Sequence, residues 1–178
     1  MMATAFLNAN MFISTTKRLL LSTLFLLVIS QLGYADDKII AGWMEPILVH
    51  PTTSLVKAKL DSGAKTSSLH AIDVEYFKKE GGDWVRFQID DEKGELEEIE
   101  KPVERWVRIK KKEGGYVRRP VVVLGFCLGS LYLEGEVNLA DRAHFNYQAL
   151  IGRNMLQGNV LIDCSKKKTL TPNCKSRK

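Results

Sequence analysis

Asp61 follows the alternating run Leu55-Val56-Lys57-Ala58-Lys59-Leu60 and precedes Ser62-Gly63-Ala64. A carboxylate placed after a strand and before a Ser-Gly turn is held by backbone rather than by a mobile loop, which suits a group that works as acid or base. About ninety residues further on, Ala149-Leu150-Ile151 reads as an apolar strand ending at Gly152, and Arg153-Asn154 begin a short helix.

These two segments together resemble the retropepsin-like aspartic proteases, in which Asp-Ser/Thr-Gly-Ala is followed at a distance by two apolar residues and Gly-Arg-Asn. The longer string from Lys59 to Ala71, with Lys65-Thr66-Ser67-Ser68-Leu69-His70, is similar to a bacterial branch labelled ATP-dependent zinc proteases. The resemblance runs from about Gly42 to Leu170. It implies Asp61 as the catalytic carboxylate, Ser62 as a hydrogen-bonding residue that orients it, and Gly63 as the point where backbone and substrate come close. It also implies a structural role for Gly152, Arg153 and Asn154, with Arg153 in an ion pair that fixes the helix and the dimer.

Peptide hydrolysis by carboxylates needs two of them sharing a proton, since like charges about 3 Å apart are not both ionised. The chain carries the Asp-Ser-Gly motif once, and Val74-Glu75, Asp90 and Asp163 belong to no repeat of it. The second carboxylate must then come from another copy, so a two-fold homodimer with Asp61 of each subunit at the axis is expected. Lys65 stands where retroviral enzymes often carry an acid; with Arg118 or Arg119 it is a candidate for binding an acidic peptide. His70 ends the resembling string and reads equally as a hydrogen-bonded histidine at a strand end.

The elements that must position these residues are mostly strands. Short segments with period-two alternation, bounded by Gly, Pro, Asn and Asp, outnumber anything with helical period. Trp84 to Ile89 alternates after Gly81-Gly82-Asp83. Trp106 to Lys110 and Tyr116 to Arg118 flank Glu113-Gly114-Gly115, which predicts a β-hairpin. Gly114 and Gly115 at its tip are candidates for a flap that covers substrate; an ordinary exposed hairpin fits the same residues. Pro120 opens the apolar strand Val121 to Leu124, and Leu131 to Leu139 follows the Gly129-Ser130 turn. Thr66 to Leu69 reads as a brief turn, Asn154 to Gln157 as a helical turn ended by Gly158, and Val160 to Asp163 with Thr169-Leu170 as a last hairpin. The fold class expected is all-β, a small closed or nearly closed β-barrel of the retropepsin (acid protease) type with one short C-terminal helical turn.

Lys17-Arg18, the apolar run Leu19 to Ile29 and the small residues Gly33 and Ala35 have the three parts of a secretory signal peptide, with Met11 as an alternative start. About a dozen apolar residues fall short of the roughly 20 that span a bilayer. Residues 1–35 are therefore read as a signal peptide and 36–178 as one domain in the periplasm or secreted, without stable membrane insertion. Cleavage removes Lys17 and Arg18 and takes the net charge from +5 to +3, too little to argue for nucleic acid. Asp90 to Glu104, with eight acids, reads as a solvated acidic loop, and Lys166 to Lys178 as a frayed basic tail. In an oxidising compartment a Cys164–Cys174 bridge is expected, with Cys127 as a buried small hydrophobe.

No cofactor is called for. There is no His-Glu-x-x-His or paired Cys-x-x-Cys, His50, His70 and His144 lack a regular ligand spacing, and no Gly-rich Lys-Ser/Thr phosphate loop occurs. The function expected is an aspartic endopeptidase acting on a peptide or protein substrate. Two other readings stay open: a non-enzymatic peptide-binding module on the same barrel, and a zinc-dependent peptidase using Asp61 and His70.

Overall fold

The computed structural model describes residues 38–110 and 113–174. The signal-peptide segment lies outside the described residues, as do Lys111, Lys112 and the last four positions. Twelve strands and one short helix follow in order: β1 (Ile39–Gly42), β2 (Met44–His50), β3 (Leu55–Leu60), β4 (Ser67–His70), β5 (Ile72–Lys79), β6 (Gly82–Asp90), β7 (Leu96–Pro102), β8 (Arg105–Lys110), β9 (Tyr116–Leu128), β10 (Leu131–Ala140), β11 (Ala149–Ile151), α1 (Arg153–Leu156) and β12 (Val160–Asp163).

Six of them form a ring. β10, β4, β11, β3, β2 and β9 pair in succession, and β9 returns to pair with β10 from Val121↔Asn138 to Leu128↔Leu131. The ring closes through β9, which pairs with β2 and with β10, and β8 adds to β9 as an outer strand. The period-two pattern decides which side chains fill it: Val56, Ala58 and Leu60 of β3 are buried while Lys57 and Lys59 point away. Ile47, Val49, Val122, Leu124, Phe126, Val137 and Ile151 complete the same interior. Each such large side chain contributes about 1.5–3 kcal/mol by leaving water. A separate three-stranded sheet, β5-β6-β7, adds Val85, Phe87, Ile89 and Ile99 to this core.

Among the described residues the all-β expectation with a single helical turn holds, and Gly158 follows that turn with φ +81°. Several local expectations do not. Thr66 to Leu69 is no turn: Ser67–His70 is strand β4, buried between β10 and β11. Pro120 lies inside β9 rather than at its start, opposite Trp106. Pairing with β10 begins only at Val121, so the missing proline N–H removes no ladder bond there. The acidic stretch is not a loop. Its centre is strand β7, where Arg86 and Lys79 of neighbouring strands pair with Glu98 and Glu100.

The C-terminal segment departs furthest from the sequence reading. β12 pairs in parallel with β1, Ile39↔Val160 to Gly42↔Asp163, instead of forming a hairpin with Thr169-Leu170. Residues 166–174 are held down, not frayed. Glu45, fully buried, accepts hydrogen bonds from the amide of Gly42 (2.7 Å), the amide and hydroxyl of Thr169 (3.0 and 2.6 Å) and the amide of Leu170 (3.0 Å). The amide of Asn173 donates to Gly129 at 2.8 Å. This path brings Cys174 to Cys127, and those two form the disulfide, leaving Cys164 exposed and reduced. The expected Cys164–Cys174 bridge is thereby corrected: the tail crosses the ring to the end of β9 rather than folding back on itself.

Candidate active site

Asp61 is the first residue after β3, and its amide donates to the carbonyl of Ile151 at 2.8 Å, continuing the parallel pairing of β3 with β11 past the strand end. Because β11 lies between β3 and β4, the turn 61–66 that joins those two strands arches over the end of β11. Gly152 sits directly beneath this arch. A Cβ there would stand 2.7 Å from the carbonyl carbon and oxygen of Thr66 and 3.1 Å from the oxygen of Ala64, so only glycine allows the approach.

α1 then locks the arch from below. The amides of Arg153 and Asn154 donate to Ala64 (2.9 Å) and Lys65 (3.2 Å), and Arg153 Nη1 donates to the carbonyls of Ser62 (2.8 Å) and Gly63 (3.1 Å). Arg153 thus grips main-chain oxygens; among the described residues it has no carboxylate partner, unlike the ion pair implied by the resemblance. Ser67 Oγ accepts from the amide of Gly152 at 3.0 Å and donates to Asn154 Oδ1 at 2.9 Å, while Asn154 Nδ2 donates to Glu136. Asn138 Nδ2 donates to the carbonyl of Ser67 at 2.6 Å. These bonds tie the carbonyls of Ser62, Gly63, Ala64 and Lys65 to α1 and tie Ser67 to Gly152 and Asn154.

The carboxylate of Asp61 is held at both oxygens. Oδ1 accepts from the amide of Gly63 at 3.0 Å, and Oδ2 from Lys59 Nζ at 3.2 Å. A Cβ on Gly63 would meet Oδ1 at 3.1 Å, which explains why the smallest residue suits that place. Burial alone pushes this carboxyl up, but the Lys59 hydrogen bond and charge with the amides of Gly63 and Ala64 outweigh it and leave the group below its ordinary value. Ser62 is exposed, and it is its carbonyl, gripped by Arg153, that the structure engages.

Asp61 opens into a groove of about 740 Å³ lined by Trp43, Lys59, Ser62, Arg153, Leu161 and Cys164 among others. Lys65, singled out from sequence, is exposed and does not line it. Lys59, which sequence reading passed over, does; strand alternation puts residues two apart on one side and could have flagged it. Gly114 and Gly115 sit at the exposed tip between β8 and β9 with φ of +93° and +75°. Arg118 is on the same hairpin, stacked over Trp106 at 4.4 Å, and Trp106 in turn packs on Tyr76 of β5 at 5.2 Å. The base of the hairpin is therefore braced against the second sheet.

Two partly buried arginines lie near this region without a carboxylate at ion-pair distance among the described residues. Arg142 donates to the carbonyl of Tyr147 and to Ser68 Oγ, and Arg119 to Asn138 Oδ1. Burial pulls both guanidinium groups below their ordinary range; Arg119 reinforces the effect on Arg142, and the Asp61 charge opposes it. His70 Nδ1 faces the amide of Arg142 at 2.9 Å, so this histidine anchors the β10–β11 loop. Among the described residues no three His, Cys, Asp or Glu side chains gather as metal ligands. Nothing in the sequence around Arg142 marks its proximity to Asp61, which arises only from ring closure.

A ring of strands carrying one Asp-Ser-Gly arch over an Ile-Gly-Arg strand end defines a retropepsin-like protein. The sequence profile described as "RimB-like: Retropepsin-like aspartic endopeptidase RimB" matches residues 40–173, and the chain belongs to this family. Proteins named "Probable alpha-L-glutamate ligase" are similar to it: those of Shewanella pealeana and Shewanella halifaxensis are each 34% identical over 138 residues, covering 74% of this chain and 30% of theirs. The chain thus spans less than a third of the curated relatives it matches. The crystal structure of a Legionella pneumophila protein of unknown function superposes with a TM-score of 0.64 at 30% identity, covering 75% of this chain and 98% of that one.

Proposed function

We propose that the chain is a retropepsin-type aspartic endopeptidase that works as a homodimer and prefers acidic peptides. The observation that carries the reading is the Asp61 carboxylate, fixed by backbone at the end of β3 and open to the groove. With Asp61 of a second copy, the pair would share one proton: the ionised member takes a proton from water as the water oxygen attacks the carbonyl carbon, and the protonated member gives its proton to the carbonyl oxygen. Collapse returns a proton to the departing amide nitrogen and restores the shared one.

The two-stranded sheet beside the groove supports self-association. Ile40 and Leu161, opposite each other in register, are 64% and 54% exposed, and Leu161 borders the groove. An uncovered apolar pair next to a half-built carboxylate centre fits a second copy seated there. Arg119 and Arg142, half-buried and without carboxylate partners among the described residues, support an acidic ligand. So does the word glutamate in the names of relatives that contain this segment. The Cys127–Cys174 disulfide supports an oxidising compartment such as the periplasm.

The test is hydrolysis of glutamate-containing peptides by the full chain, with sedimentation of the same sample. Wild type should cleave and Asp61→Asn should bind without cleaving. Binding by both with cleavage by neither would instead make it a peptide-binding module, a reading the free edge of β8 favours, since an extended peptide can add there as a strand.

A further inference from the structure

Lys59 is the last outward-facing residue of β3, and its ammonium reaches Asp61 Oδ2 at 3.2 Å. The other oxygen is taken by the amide of Gly63 at 3.0 Å. Both partners donate, so both favour the charged carboxylate. We propose that Lys59 is a positioning residue of the centre: it orients the Asp61 carboxylate, holds it ionised, and offsets the repulsion between the two copies of Asp61 that a dimer brings together. The proposal rests on the peptidase reading for its consequence in catalysis, but not for the ion pair itself.

Other titratable groups lie around the same groove or act on Asp61 from a distance. Arg153 of α1 spends its Nη1 on the carbonyls of Ser62 and Gly63. Arg142, from the β10–β11 loop, acts on Asp61 through space while its donors go to Tyr147 and Ser68. Lys38 ahead of β1 and Cys164 after β12 border the groove. The position of Asp61 below its ordinary value, against the upward push of its own burial, agrees with Lys59 as the dominant side-chain partner.

In a pair of carboxylates, repulsion drives one to keep a proton. A cation flanking each member lowers that repulsion, so both proton-loss steps of the pair occur at lower pH than they would without it. The pH–rate profile of this enzyme should therefore sit on the acid side of the profile of a lysine-free variant.

The experiment uses the full chain with ¹³C-labelled aspartate, following the Asp61 carboxyl carbon against pH in wild type, Lys59→Met, Lys59→Gln and Lys59→Arg, alongside pH profiles of kcat/KM on a glutamate-containing peptide. In Lys59→Met and Lys59→Gln the Asp61 midpoint should rise by roughly half a unit or more, the scale of a partly exposed ion pair. Both limbs of the rate profile should move up with it, and Lys59→Arg should restore most of the shift. Unchanged midpoints in both neutral variants would overturn the proposal. Shifted midpoints with an unmoved rate profile would remove Lys59 from the reaction. Shifted midpoints in a protein that cleaves nothing at any pH would leave the ion pair standing and bring down the peptidase reading instead.

Discussion

The amide of Asp61 donates to the carbonyl of Ile151 at 2.8 Å. That bond ties together two segments far apart in sequence, because β11 inserts between β3 and β4, which are neighbours along the chain. The position of the carboxylate is thus a property of the ring, not of the turn that carries it. Substitutions that disturb the arch from beneath should reach Asp61 without touching it.

Gly152→Ala is the sharpest such change. Its new Cβ would stand 2.7 Å from the backbone of Thr66, and backbone cannot swing aside as a side-chain tip can. The expected cost is on the order of 1–3 kcal/mol, read as a lower urea midpoint. Peptide cleavage should fall more than stability does, because the displaced segment is the arch that carries Asp61.

Ser67→Ala removes the acceptor for the Gly152 amide and the donor to Asn154 in a fully buried position. Leaving that amide unpaired costs about 1–3 kcal/mol. Ser67→Thr, which keeps the hydroxyl, should recover part of the loss if the added methyl is accommodated. Equal loss in both variants would assign the effect to packing rather than to the hydrogen bond.

Much of this arrangement is legible before folding and some of it is not. Val56, Ala58 and Leu60 alternate with Lys57 and Lys59, and that alternation alone predicts β3 and which of its faces is buried. The hairpin at Gly114-Gly115 and the turn of helix after Gly152 are likewise local, set by glycine and by short-range pattern. What escapes is non-local. Ile39–Gly42 and Val160–Asp163 are four-residue strands with no signal that they pair with each other in parallel. Glu97, Glu98 and Glu100 read as a loop because charge runs usually face water, yet their partners on β5, β6 and the β2–β3 turn make a strand possible. Arg142, whose charge senses that of Asp61, carries no motif at all. Site residues that belong to a local motif, such as Asp61 and Gly152, could be named from sequence, whereas Arg142, which belongs to none, could not.

Acid stability should report on Asp61. Its folded-state value lies below its ordinary one, so the unfolded chain takes up a proton first. The ion pair's contribution is complete above the ordinary carboxylate range and disappears as pH falls through the lower folded value. Urea midpoints measured across that window should fall less steeply for Asp61→Asn than for wild type. Parallel curves would mean that Asp61 makes no such contribution.

Glu45→Gln should be more damaging than a neutral swap usually is. The buried carboxylate accepts four hydrogen bonds from Gly42, Thr169 and Leu170 with both oxygens. A carboxamide has one acceptor oxygen and would turn an NH₂ toward a backbone amide. A loss on the order of 3 kcal/mol follows, and amide hydrogen exchange should show Thr169 and Leu170 released before the ring strands.

The disulfide offers a last check, on the course of the C-terminal tail. Cys127 lies at the end of β9 and Cys174 is 47 positions later, so the bond closes a long loop and restricts the unfolded chain strongly. For a loop of that size the stabilisation is about 4 kcal/mol if chain entropy dominates. Reduction, or Cys174→Ser, should lower the thermal midpoint by several degrees, while Cys164→Ser should leave it in place because Cys164 is exposed and unbridged. Peptide mapping of the unreduced protein should recover residues around Cys127 joined to those around Cys174. A fragment joining Cys164 to Cys174 would instead mean that the tail folds back locally, and the path from Glu45 through Leu170 to Gly129 would have to be redrawn.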